Sequence, residues 1–156
     1  MNDQHTATPT HALVSAVAAE DCSRIGVAIV LRDRHRDTIY STSYSTMQAV
    51  SVEAVTYQAI SKALRNAREL GSYNMTVYCD VAAVVTQLSG QEEVPATLLA
   101  PSLETRAVMN RFRRVQVKLA QSGVHFIAHK LAAGASGDDG DEKSLQQSLR
   151  LHFDAV

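Results

Sequence analysis

Met75-Thr76-Val77-Tyr78-Cys79-Asp80 runs without a break into Val81-Ala82-Ala83-Val84-Val85-Thr86-Gln87-Leu88-Ser89-Gly90. The first six residues are apolar, β-branched or aromatic, which reads as a buried strand. The next ten place Val81, Val84, Val85 and Leu88 at helical spacing and stop at a glycine suited to a C-cap. Asp80 therefore falls where a strand ends and a helix begins. In an open α/β sheet that position is where ligands and metals are met. The same carboxylate could instead cap the helix, and the stretch alone leaves both roles open.

Upstream, three extended segments come in quick succession. They are Ala12 to Ala19, Ile25 to Leu31, and the alternating Thr38 to Ser45. Their short polar links imply an antiparallel meander. From Val52 to Leu70 the period changes: Val52, Val55, Thr56, Ala59, Ile60 and Ala63 share one helical face, and Gly71 ends it. Downstream of Gly90, a loop to Pro101 precedes an expected long helix from Ser102 to about Gln121. A fifth strand is expected over Val124 to Lys130. An acidic loop and a last helix from about Asp141 through Phe153 follow. The expected fold is α/β, with a mixed five-stranded sheet whose first three strands are antiparallel, flanked by helices. Residues 1–11 read as a flexible tail and 12–156 as one domain.

With 156 residues, 46% hydrophobic and 20% charged, the chain is long enough for one sizeable core. The formal net charge is -1, from 15 basic and 16 acidic residues, so any nucleic-acid surface must be a local patch. Two cysteines, Cys22 and Cys79, form no CxxC pair, which excludes a zinc ribbon or disulfide framework. No apolar run is long enough to span a bilayer, and a cytoplasmic protein without membrane partners is expected.

The element order and several segments resemble the ribonuclease H-like fold, and within it the ribonuclease HI and reverse-transcriptase-like group. Asp80 followed by Gln87-Leu88-Ser89-Gly90 is similar to that family's strand-end Asp and its Gln-Leu-x-Gly helix end. Thr56-Tyr57-Gln58-Ala59-Ile60 through Glu69-Leu70-Gly71 resembles the family's first helix. Ile25 to Leu31 resembles its glycine-containing second strand, and His129 resembles a strand-end histidine before a mobile loop. The resemblance implies four acids: an Asp in the first strand, a Glu in the first helix, the strand-end Asp, and an Asp opening the last helix. In that family they hold two divalent ions that activate water and stabilise the leaving oxygen of a phosphodiester.

Only the third acid is plainly present, as Asp80. Thr56 occupies the second position, with Glu53 one turn earlier, about 4.5 Å along the axis. Asp21, or less readily Glu20, is the nearest candidate for the first. Asp139, Asp141 or Asp138 would supply the last. The expected long helix also carries Arg111, Arg114 and Lys118 at i, i+3, i+7 spacing, with Arg106 nearby, a face that could dock a nucleic-acid backbone. No aromatic residues alternate with them in that reading, which argues against a single-strand stacking platform. The resemblance thus implies a domain with a degenerate carboxylate site, acting as a nucleic-acid-binding or interaction module. The alternatives are an active magnesium- or manganese-dependent ribonuclease H on RNA–DNA hybrids, and a structural homodimer without a nucleic-acid role.

Overall fold

Ala12 to Ala16 and Ile25 to Leu31 are buried without interruption, as strands covered on both faces must be. In the computed structural model, which describes residues 7–21, 23–47 and 51–136, they lie in β1 (His11–Ala18) and β2 (Arg24–Arg32). β3 (Thr38–Met47), α1 (Val52–Glu69), β4 (Asn74–Cys79) and α2 (Ala82–Leu88) follow. A 3₁₀ turn at Ala96–Leu98 then leads into α3 (Leu99–Met109), β5 (Arg114–Leu119) and α4 (Ser122–Ser136). The sheet order is β3-β2-β1-β4-β5. β1 and β3 run antiparallel to β2, while β1, β4 and β5 are mutually parallel. The expected mixed sheet is present, with β4 beside the central strand.

The two faces carry different cores. Ala12, Val14, Val27, Ile29, Met75, Val77 and Cys79 face the side covered by α1, α2 and α3. Leu13, Ala28 and Val30 face α4 and meet its Ala128, Leu131 and Ala132. At Gly26 the helix lies directly on the strand: a Cβ there would sit 1.8 Å from the Ala132 carbonyl oxygen. The Ser51 hydroxyl caps α1 by accepting from the Ala54 amide at 3.2 Å. Gly71 (φ 95°) and Gly90 (φ 78°) take the left-handed conformation that ends α1 and α2.

Two expected elements are corrected. The helix expected from Ser102 to Gln121 ends at Met109, and residues 114–119 form the fifth strand instead. The stretch expected as that strand, Val124 to Lys130, lies inside α4. Arg111, Arg114 and Lys118 therefore share no helix face, and His129 sits on a helix rather than at a strand end. At the N-terminus β1 already includes His11. Pro9 is buried, its carbonyl accepting from the Ser72 hydroxyl at 2.5 Å. The expected last helix, with Asp138, Asp139 and Asp141, lies outside the described residues.

Candidate functional site

The parallel register pairs Leu13 with Tyr78 and Val14 with Cys79. The next step along both strands brings Ser15 level with Asp80. Side chains alternate, so both point to the α4 side of the sheet. The Ser15 hydroxyl donates to Asp80 Oδ2 at 2.5 Å, and Ser15 is fully buried. From α4, His129 brings Nδ1 to 3.5 Å from the same oxygen, an ion pair when the imidazole is protonated. The Asp80 side chain is 22% exposed and that of His129 59%, so solvent reaches the pair from one side. The cap position of α2 belongs to Val81, which makes no side-chain cap bond.

The other candidate acids do not converge here. Thr56 is fully buried on the inner face of α1, and its hydroxyl donates to the Val52 carbonyl of the preceding turn at 2.7 Å. Glu53 lies in the first turn of α1. Asp21 and Glu20 are exposed in the β1–β2 turn, past the end of β1, several residues beyond the level of Asp80. Asp21 accepts from the Ser23 hydroxyl and amide, which hold its carboxyl below the usual value. Among the described residues no three His, Cys, Asp or Glu side chains come together to hold a metal ion. Among the described residues the cluster offers one carboxylate, one imidazole and the Ser15 hydroxyl, which alone do not fit two magnesium ions. Those demand several anionic oxygens to replace water. Cys79 is a core thiol, pushed up to about 12 by burial.

The basic residues disperse. Arg106 on α3 reaches across to donate to the Gln87 carbonyl at 2.8 Å. Arg111 is exposed in the turn after α3, whereas Arg114 and Lys118 are exposed on β5. Pairing of Asn74 with Arg114 and of Tyr78 with Lys118 turns both cations to the face that carries Asp80.

Two partners escaped the sequence reading. Ser15 is the one polar residue between Leu13 and Val17, and a lone hydroxyl in a doubly buried strand is the signal that could have found it. Tyr57 donates to Gln87 Oε1 at 2.6 Å, fully buried, so the Gln-Leu-x-Gly segment ties α2 to α1.

Sheet order, flanking helices and the strand-end Asp80 define a ribonuclease H-like domain. The profile described as reverse transcriptase-like matches residues 15–135, and the chain belongs to that family. Among solved structures it is similar to RNase H1 from the halophilic archaeon Halobacterium salinarum, at TM-score 0.72 and 18% identity over 80% of this chain and 95% of that one. It is also similar to the N-terminal RNase H domain of a Mycobacterium tuberculosis protein, at TM-score 0.72 and 19% identity over 90% and 99%. LC11-RNase H1, from compost, solved with an RNA/DNA hybrid, superposes at TM-score 0.69 and 16% identity over 89% and 98%. At these identities the likeness is one of fold. No curated protein sequence matches.

Proposed function

We propose that the chain is a catalytically silent ribonuclease H-like domain that binds RNA–DNA hybrid or duplex through the phosphate backbone. The observation that carries this reading is the hydroxyl of Ser15 standing level with Asp80 and bonded to it. That is where a first-strand acid would have to stand to share an ion with the strand-end Asp. Thr56 takes the place of the helix acid, and His129 on α4 faces the remaining carboxylate. Clustered carboxylates tolerate each other because divalent ions offset their repulsion. With a single carboxylate among the described residues the site has little to hold such ions, and magnesium sheds water reluctantly. Hydrolysis then has neither its nucleophile nor its leaving-group stabiliser. The nucleic-acid half of the reading is supported by LC11-RNase H1, which holds an RNA/DNA hybrid. It is supported too by the exposed Arg111, Arg114 and Lys118 of this chain. The structural-homodimer alternative has no observation behind it.

The test measures hybrid cleavage and hybrid binding side by side, with magnesium or manganese present. Cleavage is expected at background for wild type and Asp80→Asn alike, with binding that weakens as salt rises. Robust wild-type cleavage that disappears in Asp80→Asn would establish the enzyme instead, with acids of the 138–142 segment completing the site.

A further inference from the structure

α4 packs on β1, β2 and β3, so among the described residues the α4-side surface of β4 and β5 is left open. The register fills that open half-sheet in rows. Arg32, His11, Thr76 and Gln116 form one row across four strands. Tyr78 and Lys118 form the next toward Asp80, and Asn74 with Arg114 the one before. Between the Asn74–Arg114 row and the row of His11, Thr76 and Gln116 lies an open hollow of about 410 Å³. The rings of His11 and Tyr78 lie nearly parallel, 13° apart in plane with centroids 6.1 Å apart, and both are half-exposed.

Among the described residues, the charges that act on the His11 ring are all positive. Burial and the nearby Arg36, Arg32 and Lys118 hold the His11 imidazole below its usual value. Arg32 is half-buried, and its Nε has no hydrogen-bond partner among the described residues. A half-buried guanidinium with one donor left unbonded is a standing cost that an arriving anion reduces. Asp33, next to Arg32 in the chain, is buried and accepts from the His35 and Asp37 amides at 2.8 and 3.0 Å, which fixes it within the β2–β3 turn. Asp37 is exposed in the same turn.

Flat paired rings flanked by cations match a chain of bases linked by phosphates. A rigid duplex hides its bases, while a single strand can splay them onto aromatic faces. We propose that the open face of β1, β4 and β5 binds a single-stranded stretch of nucleic acid. Its bases stack on Tyr78 and His11, and its phosphates meet Arg32, Arg36, Arg114 and Lys118. Tyr78 is two residues before Asp80, about 7 Å along the strand, so a strand lying here continues to the Ser15–Asp80–His129 cluster. The inference rests on the nucleic-acid reading and specifies which form of nucleic acid this surface takes.

The experiment is fluorescence anisotropy with labelled 15-nucleotide oligo-U and oligo-dT, beside a hybrid of the same length. The proteins are wild type, the double variant Tyr78→Leu/His11→Ala, and Arg114→Gln/Lys118→Gln, whose exposed positions leave the fold intact. Wild type is expected to bind the single strands. The ring variant should lose at least about tenfold on single strands while holding hybrid affinity. The charge variant should flatten the single-strand salt slope by about 0.7 for each phosphate it no longer neutralises. Wild type that binds hybrid but no single strand overturns this inference and keeps the hybrid reading. Single-strand binding without hybrid binding does the reverse, and binding of neither overturns both. Single-strand affinity unchanged in the charge variant also overturns the inference, whether or not the ring variant folds.

Discussion

The Ser15 hydroxyl and the Asp80 carboxylate share one hydrogen bond in a place where two carboxylates would repel each other. Ser15→Asp would set two acids within about 3 Å, and one of them would have to keep its proton or find a cation. The variant is expected to lose about 2 kcal/mol of stability in EDTA at pH 7, following the roughly 1.4 kcal/mol that accompanies each unit of pKa shift. Magnesium should return part of that loss, seen as a rise in Tm absent from wild type. In the double variant Ser15→Asp/Thr56→Glu, manganese-dependent hybrid cleavage is expected above background and should vanish when Asp80→Asn is added. No cleavage by a folded double variant would show that these positions do not stand in for the acids.

His11 sets a second prediction at this scale. Its folded pKa lies below the ordinary 6.5, chiefly through burial and then through Arg36, Arg32 and Lys118. The unfolded chain therefore binds the proton more readily. Stability from this group is present above about pH 6.5 and is lost as pH falls through the folded pKa. Acid unfolding of His11→Gln should show a shallower slope in that window than wild type. Phosphate at Arg32 and Lys118 would favour the charged ring, so the His11 titration followed by NMR should move upward when oligonucleotide binds.

Among the elements, the hydrogen bond from Tyr57 to Gln87 fastens α1 to α2, and Thr105 on α3 donates to the Tyr57 carbonyl at 3.0 Å. Tyr57→Phe strands a buried acceptor and should cost about 1–3 kcal/mol in denaturant unfolding. These partners were legible only as a motif, because a residue's fellow across two helices is not encoded in local spacing. The misread segment between Arg111 and Lys130 has a clearer cause. Val115, Val117 and Leu119 alternate with Arg114, Gln116 and Lys118, a period of two that the coincidental i, i+3, i+7 spacing of cations masked. In α4 the buried Ala128, Leu131, Ala132 and Ala135 follow the helical pattern, yet Val124 to Ile127 ahead of them looked like a strand. Strong signals did carry over. The doubly buried β2 and the stripe of α1 from Val55 to Ala67 lie where their periodicity put them. Asp80 was visible as a strand-end acid. Its neighbour Ser15 was not, because the register of β1 against β4 is a long-range property.

For the whole molecule, a net charge of -1 means that no global field draws in a polyanion. Salt should therefore act mainly through the local phosphate-binding cations, with a slope that counts them rather than the charge of the chain. The plot of log affinity against log salt for wild type and the charge variant is the check. The direct seating of α4 on Gly26 bears on the same scale. Gly26→Ala would force the helix backbone away from the strand and should destabilise by about 3 kcal/mol, at the upper end for an overpacked core.

Among the described side chains that seating is made mostly by alanines. Among the described residues α4 buries Ala128, Leu131, Ala132 and Ala135, whereas α1 buries Val55, Tyr57, Ile60 and Leu64 against the other face. Alanine removes little surface from water, so separating α4 from the sheet exposes less apolar area than separating α1. In native-state hydrogen exchange the two helices should not open together. Amides of α4 from Ala128 to Ala135 should exchange through a partial opening of lower free energy, while those of α1 and β2 wait for global unfolding. Each such opening carries His129 away and leaves Ser15 and Asp80 in the sheet. The imidazole is thus a visitor to the carboxylate on the timescale of that opening, and exchange rates for α4 equal to those of β2 would show that it is instead a fixture.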